Sequence, residues 1–234
     1  MMFYPMFYFD PTYVLILIGV VISMAASAKL NSTYQRYSAV RSMCGMTGAD
    51  AAKRLLANQG IYDVTVRRVP GNLTDHYDPR SKTVNLSDAV YNSTSIAAIG
   101  VAAHECGHAI QHAIHYAPLE IRSAIVPLAN FGSTLSWPLF FLGLIMSIRP
   151  LITAGIILFS LAVLFQLVTL PVEINASSRA LRMLETTGIL GREENSGARK
   201  VLTAAALTYV AALVSSILQL LRLIILAGGR RNDD

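Results

Sequence analysis

His104, Glu105 and His108 stand together in the run HECGH at residues 104–108. On a helix, residues four apart lie one turn on and about 40° round, so the two imidazoles can point at one metal ion. Glu105 is about 100° from His104 and falls beside such an ion rather than on it. A carboxylate there can take a proton from an attacking water and later pass it to a leaving amine. Zinc lowers the pKa of a water from about 15.7 toward about 7, which gives a nucleophile at neutral pH. A catalytic zinc needs three protein ligands and one open position, so the motif is one ligand short. Two interfacial histidines on an ordinary helix would give the same spacing. Against that plainer origin stand the helical segment, its small or apolar neighbours Ala102, Ala103, Cys106, Gly107 and Ala109, and a charged Glu105 among them.

The elements that must position these residues are unusually apolar. Of 234 residues, 53% are hydrophobic and only 14% charged, against roughly 25% charged in a soluble domain. The excess is concentrated in stretches 11–28, 123–148, 150–172 and 201–221, none of which holds Asp, Glu, Lys or Arg. A bilayer-spanning helix needs about 20 mostly apolar residues, so four transmembrane helices are expected. Arg149 and Pro150 alone separate the middle two, which predicts a tight helical hairpin. The first stretch reads as an uncleaved anchor, because positive charge follows it and no basic region precedes it. Arg222 makes the fourth span the least secure.

Ten Lys and Arg residues lie between 29 and 122, and five more between the third and fourth spans. On the other side are Arg149 and the tail residues Arg222, Arg230 and Arg231. The positive-inside rule therefore puts both polar regions in the cytoplasm and the N-terminus outside. The net charge of +5 is largely this topology signal. No basic run interleaved with aromatics suggests nucleic acid. Cys44 and Cys106 cannot build a disulfide framework, and no CxxC is present.

Topology bears on the missing ligand. A metzincin arrangement would put glycine at 111 and histidine at 114, where this chain has Gln111 and Ile114. His112 is roughly 12 Å along the axis from His104 and His115 is further, so neither can share the ion. Cys106 points elsewhere on the helix, toward packing. His76 is a possible distant ligand in an expected strand. Glu120 follows a proline too near the first helix, and Glu185, Glu193 and Glu194 fall toward a helix end or loop. Glu173 remains, directly after the third span. Two crossings separate it from His108, which returns both to one face of the membrane. A His104, His108, Glu173 set is the kind found in thermolysin-like enzymes.

The intervening polar chain has recognisable punctuation. Thr47 can cap a helix lined by Ala51, Ala52, Leu55 and Leu56 and stopped by Gly60. Residues 64–69, 73–77 and 83–86 read as short strands. Ser93 or Thr94 can cap the helix that carries HECGH, which then runs to about Tyr116 and ends at Pro118. Pro171 precedes a polar helix from Glu173 to about Thr187, stopped by Gly188. The segments are therefore an anchor (1–28), a polar part with a small sheet and the HECGH helix (29–122), a transmembrane hairpin (123–172), a polar helix (173–200), and a fourth span with a tail (201–234).

VAAHECGHAIQH, with LTDHYDPRSKTVNLS upstream and LPVEINASSRAL downstream, resembles the YugP-type family of bacterial neutral zinc metallopeptidases. The resemblance covers most of the chain. It implies a membrane endopeptidase holding Zn²⁺, a zincin-like α+β domain on a mainly α membrane protein, and a site facing the cytoplasm. The downstream motif is also similar to that of HtpX-type membrane proteases, in which an Asp follows the Glu ligand by four residues. This chain has Ser177 there, which can hydrogen-bond a ligand histidine but supplies no charge.

Zincin relatives bind peptide as an added strand, and 73–77 or 83–86 could be the edge that receives it. His76 and Tyr77 could stabilise an oxyanion; Asp75, His76 and Tyr77 read equally well as a turn with local hydrogen bonds. Arg179 can pair with a carboxylate or anchor at the headgroups. The expected partners are a peptide or protein substrate and the lipid bilayer. Oligomeric state and any regulatory partner are not legible. An inactive metal-binding scaffold or adaptor is the competing function, and Glu105 argues against it, since a structural site needs no base. A transporter finds little support in spans without a buried charge pair.

Overall fold

The computed structural model describes residues 10–229. Among them are helices α1 (Tyr13–Ser38), α2 (Gly48–Asn58), α3 (Asp88–Tyr91), α4 (Ile96–Ala113), α5 (Ala117–Met146), α6 (Arg149–Thr186) and α7 (Arg192–Gly229). Three short strands, β1 (Thr65–Val69), β2 (His76–Asp78) and β3 (Thr83–Ser87), complete the inventory. Arg230 and Arg231, counted in the charge balance above, lie outside the described residues. Four helices, α1, α5, α6 and α7, are long and apolar enough to cross a membrane. Helices α6 and α7 contain their apolar stretches whole, whereas α1 starts two residues into the first and α5 ends two residues short of the second; all four also run on into polar sequence.

The largest difference from the sequence reading is in α6. The helix does not restart after Pro171 but runs unbroken from Arg149 to Thr186. Proline removes one N–H from the ladder without necessarily ending it, and Val172 and Ala176 beyond it are fully buried. Likewise α7 continues through Arg222.

The chain divides into two compact units. Of the described residues, one comprises 10–25, 126–166 and 211–229. Its helices meet at Phe140, Ile152 and Leu223. They approach closely at Gly155, where a Cβ would meet the Ser136 carbonyl oxygen at 2.8 Å. Arg222 is buried here. Its Nε donates to Thr12 Oγ1 at 3.2 Å, its Nη2 lies 3.4 Å from Asp10 Oδ2, and its guanidinium sits 4.6 Å from the Tyr13 ring centroid. The partly buried Asp10, just ahead of α1, thus gives Arg222 a carboxylate partner, and with Thr12 and Tyr13 it accounts for an arginine in the apolar run of α7.

The other unit comprises residues 26–125 and 167–210. Thr47 and Asp50 form a reciprocal capping box at the start of α2. Gly60, at φ +71°, closes the end in the left-handed conformation expected after a helix. Ala51, Ala52, Leu55 and Leu56 face the core as their spacing predicts. The strand order is β1-β3-β2, with β1 parallel and β2 antiparallel to β3. Central β3 is buried at Thr83, Val84, Leu86 and Ser87.

Against this core lies α4, with nearly every residue from Ile96 to Gln111 buried. Ser95, rather than Ser93 or Thr94, caps it by accepting from the Ala98 N–H at 3.2 Å. The helix ends at Ala113, His115 takes a φ of 53°, and Pro118 falls in the first turn of α5 instead of acting as a stop. Proline suits a first turn, where its missing N–H has no helical partner anyway.

Candidate metal centre

The helix crossing that builds the site depends on the glycine of HECGH. A Cβ at Gly107 would sit 2.6 Å from the Ala176 carbonyl oxygen, so α4 and α6 touch backbone to backbone there. One residue beyond Gly107 is His108, and three before Ala176 is Glu173. The crossing therefore holds two ligand-bearing turns against each other.

His104 Nε2 lies 3.3 Å and His108 Nε2 lies 3.5 Å from Glu173 Oε2. The three residues each offer one ligand atom, all within 4.8 Å of one another. Atoms bound at about 2.0–2.2 Å around a tetrahedral zinc are roughly 3.3–3.5 Å apart, so the two histidine–Glu173 separations match that ion. The imidazoles meet edge to face, with centroids 4.7 Å apart and planes at 85°.

Each histidine is oriented from behind. His108 Nδ1 donates to Gln111 Oε1 at 3.0 Å. Gln111 cannot present its amide nitrogen instead, because Nε2 donates to Val172 O at 2.9 Å and Asn175 Oδ1 at 3.0 Å. With the proton fixed on Nδ1, the His108 Nε2 lone pair is free for a metal. Ser177 Oγ lies 3.1 Å from His104 Nδ1 and can accept its proton in the same way. Arg179 stands one step further back: its Nε donates to Asn175 Oδ1 at 2.7 Å, and its guanidinium lies 5.9 Å from the Tyr116 ring. The expected carboxylate partner is replaced by this amide.

Glu173 is 3% exposed. Its Oε1 faces Arg122 Nη1 at 3.9 Å. Glu105 lines a cavity of about 150 Å³ with His104, Glu173, Ser177 and Tyr209. Burial pushes its carboxyl above the usual range, against the pull of His104 and His108. Asp75 lines the same cavity, and burial raises it too, although Ser87 N and Oγ donate to it at 2.7 and 2.9 Å. The remaining wall is mostly apolar, including Leu30, Leu73, Val101 and Leu202.

His76 and Tyr77 are not brought to this cavity. The exposed His76 ring bonds Thr74 O at 2.8 Å and Asn85 Nδ2 at 3.1 Å. His76 thus sits on strand β2, and its Asn85 contact is to its cross-strand partner on β3. The Tyr77 hydroxyl pairs with His112 Nδ1 at 2.9 Å, and burial, helped by Asp63 and Asp78, pushes it up to about 12. Among the described residues, the residues that sequence reasoning missed are Gln111, Asn175, Arg122 and Tyr209.

Residues 12–228 match the family described as "Putative neutral zinc metallopeptidase". The chain belongs to this family. It is also 47% identical over 213 residues to "Putative membrane protease YugP" of Bacillus subtilis, covering 91% of this chain and 95% of that protein. No solved structure matches the chain significantly. The family implies zinc, and the His104, His108, Glu173 cluster is a possible site for it. The membrane-protease relative and the four apolar helices point to a multi-pass membrane protein.

Proposed function

We infer that the protein is a membrane-embedded zinc endopeptidase of zincin-like arrangement, with His104, His108 and Glu173 as ligands and Glu105 as general base. The observation that carries the reading is the convergence of two Nε2 atoms and one carboxylate oxygen beside a cavity that Glu105 also lines. A zinc bound there supplies Lewis acidity, polarising a peptide carbonyl and drawing the pKa of a water toward about 7. Glu105 takes the attacking water's proton and delivers it to the departing amine nitrogen. Gln111 and Ser177 keep both imidazole lone pairs aimed inward. The Tyr209 hydroxyl, in the cavity wall, is assigned to the carbonyl oxygen as negative charge develops on it.

The apolar lining favours a substrate side chain without charge beside the scissile bond. The excess of Lys and Arg in the two polar regions supports reading both as cytoplasmic, with membrane or unfolded cytoplasmic proteins as the substrates.

The test is casein digestion by the detergent-purified full-length chain and its Glu105→Gln variant, with zinc content measured on both. A general base contributes typically about 10²–10⁴-fold, so the variant should lose at least that first factor while keeping zinc. Undiminished digestion by the variant would remove Glu105 from the mechanism. Zinc retention with no digestion by the wild-type chain would favour the inactive-scaffold alternative. Full zinc retention by Glu173→Ala would show that the third ligand lies elsewhere.

A further inference from the structure

A second cavity, of about 460 Å³, opens between the later turns of α1 and the first turns of α7. Lys29 and Arg36 line it from one helix and Arg199 and Lys200 from the other, with the Thr203 hydroxyl among them. No acidic residue lines it. All four cationic side chains are exposed, and among the described residues none has a carboxylate partner. Four positive charges around one void repel one another, and an anion inside it would relieve all of them together.

Packing fixes the geometry of this cluster. Gly197 lets α7 lie flush on Tyr37, since a Cβ there would meet the ring at 2.8 Å. Arg36 at 5.7 Å and Lys200 at 6.0 Å also approach this ring, so a cation from each helix is held against one aromatic side chain. The cluster also has a particular place in the chain. Lys29 directly follows the apolar stretch 11–28, and Lys200 directly precedes the apolar stretch 201–221. Both charges therefore fall at the ends of membrane-length apolar runs, the level at which lipid headgroups lie. The exposed Leu207, in the wall, continues the cavity toward acyl chains rather than toward water.

We propose that this cavity binds the phosphate of an anionic phospholipid headgroup, bridging α1 and α7. The same two helices supply Leu30, Tyr34, Val201 and Leu202 to the wall of the metal-centre cavity. A headgroup clamped between them also holds that wall in place. Nothing in this assignment depends on the chain being a peptidase.

The experiment uses the full-length chain in a neutral detergent, titrated with short-chain phosphatidylglycerol, short-chain phosphatidylcholine or inorganic phosphate. Bound lipid is read by native mass spectrometry and stabilisation by melting temperature. Phosphatidylglycerol should bind and stabilise, and phosphatidylcholine should do so weakly. Arg199→Gln/Lys200→Gln should weaken phosphatidylglycerol binding by about 30-fold, from the usual worth of two basic side chains at a membrane surface. Lys53→Gln/Arg54→Gln, an equal charge loss on α2, should leave it unchanged. Should the first variant fail to fold, Lys29→Gln/Arg36→Gln removes the same charge from the other wall. Equal phosphatidylglycerol binding by the cavity variants, or equal loss in the α2 variant, would overturn the site. Stabilisation by inorganic phosphate matching that by the lipid would overturn the lipid assignment.

Discussion

Gly107→Ala sets two opposing effects against each other at the point where the metal centre is assembled. Alanine is favoured over glycine inside a helix by about 1 kcal/mol. The added Cβ would meet Ala176 O at 2.6 Å, Ala176 C at 3.1 Å and Ala176 Cα at 3.2 Å, all backbone atoms of a buried helix. Restoring ordinary contact requires α4 and α6 to part by about 0.4–0.8 Å, and overpacking of this kind costs typically about 1–3 kcal/mol. Stability should therefore change little or fall modestly. Zinc binding should suffer more, because the parting carries Glu173 away from His104 and His108 by more than the ~0.2 Å that a metal site tolerates. Zinc affinity is expected to drop at least 10-fold, as for loss of a supporting contact. Gly100→Ala is the internal control. On the same helix its Cβ would meet the Ala198 Cβ at 3.3 Å and, at ordinary contact distance, the Ala198 Cα at 3.6 Å, so a shift of about a tenth of an ångström suffices. That variant should keep wild-type affinity and melt no lower. Chelator-competition titration of zinc, with thermal unfolding in detergent, measures both quantities. Affinity within about threefold of wild type in Gly107→Ala would refute the argument, because a parted crossing cannot leave the ligands matched.

The side chains behind the ligands make sharper tests still. Gln111→Ala strips His108 Nδ1 of its acceptor and leaves Asn175 Oδ1 one donor short, so zinc affinity should fall about 10–100-fold by the same titration. Gln111→Glu keeps the acceptor but loses both donations and should fall between wild type and Gln111→Ala; an affinity below that of Gln111→Ala would contradict the assigned tautomer. Ser177→Ala should weaken zinc binding by about 10-fold and Ser177→Asp should restore it, since a carboxylate accepts the His104 proton more strongly than a hydroxyl. Thr47→Ala removes the α2 capping box and should cost about 1 kcal/mol, seen as a lower melting temperature with zinc affinity intact.

The chain discloses its ligands more readily than their supports, and the reason is physical. HECGH is a local pattern: one helix and its 3.6-residue period bring His104 to His108. Glu173 is remote, yet a hairpin of two spans returns the chain to the face it left, and that parity can be counted from apolar runs alone. The α2 cap and its Gly60 stop are legible because each is a contact within a few residues. Gln111 carries no such mark. Its position served only to exclude a glycine-containing layout, because the sequence does not reveal that Val172 and Asn175 lie opposite it. Tyr209 is harder still, a lone phenol in an apolar run that any spanning helix could carry. His76 and Tyr77 were put forward for their chemistry, but their bonds to Thr74, Asn85 and His112 satisfy them away from the cavity. Continuity at Pro171 was missed because proline usually marks a boundary. Here the helix continues, and that changes what Glu173 is: a ligand on the same unbroken helix as the apolar run 150–172, not one at the start of a separate polar helix.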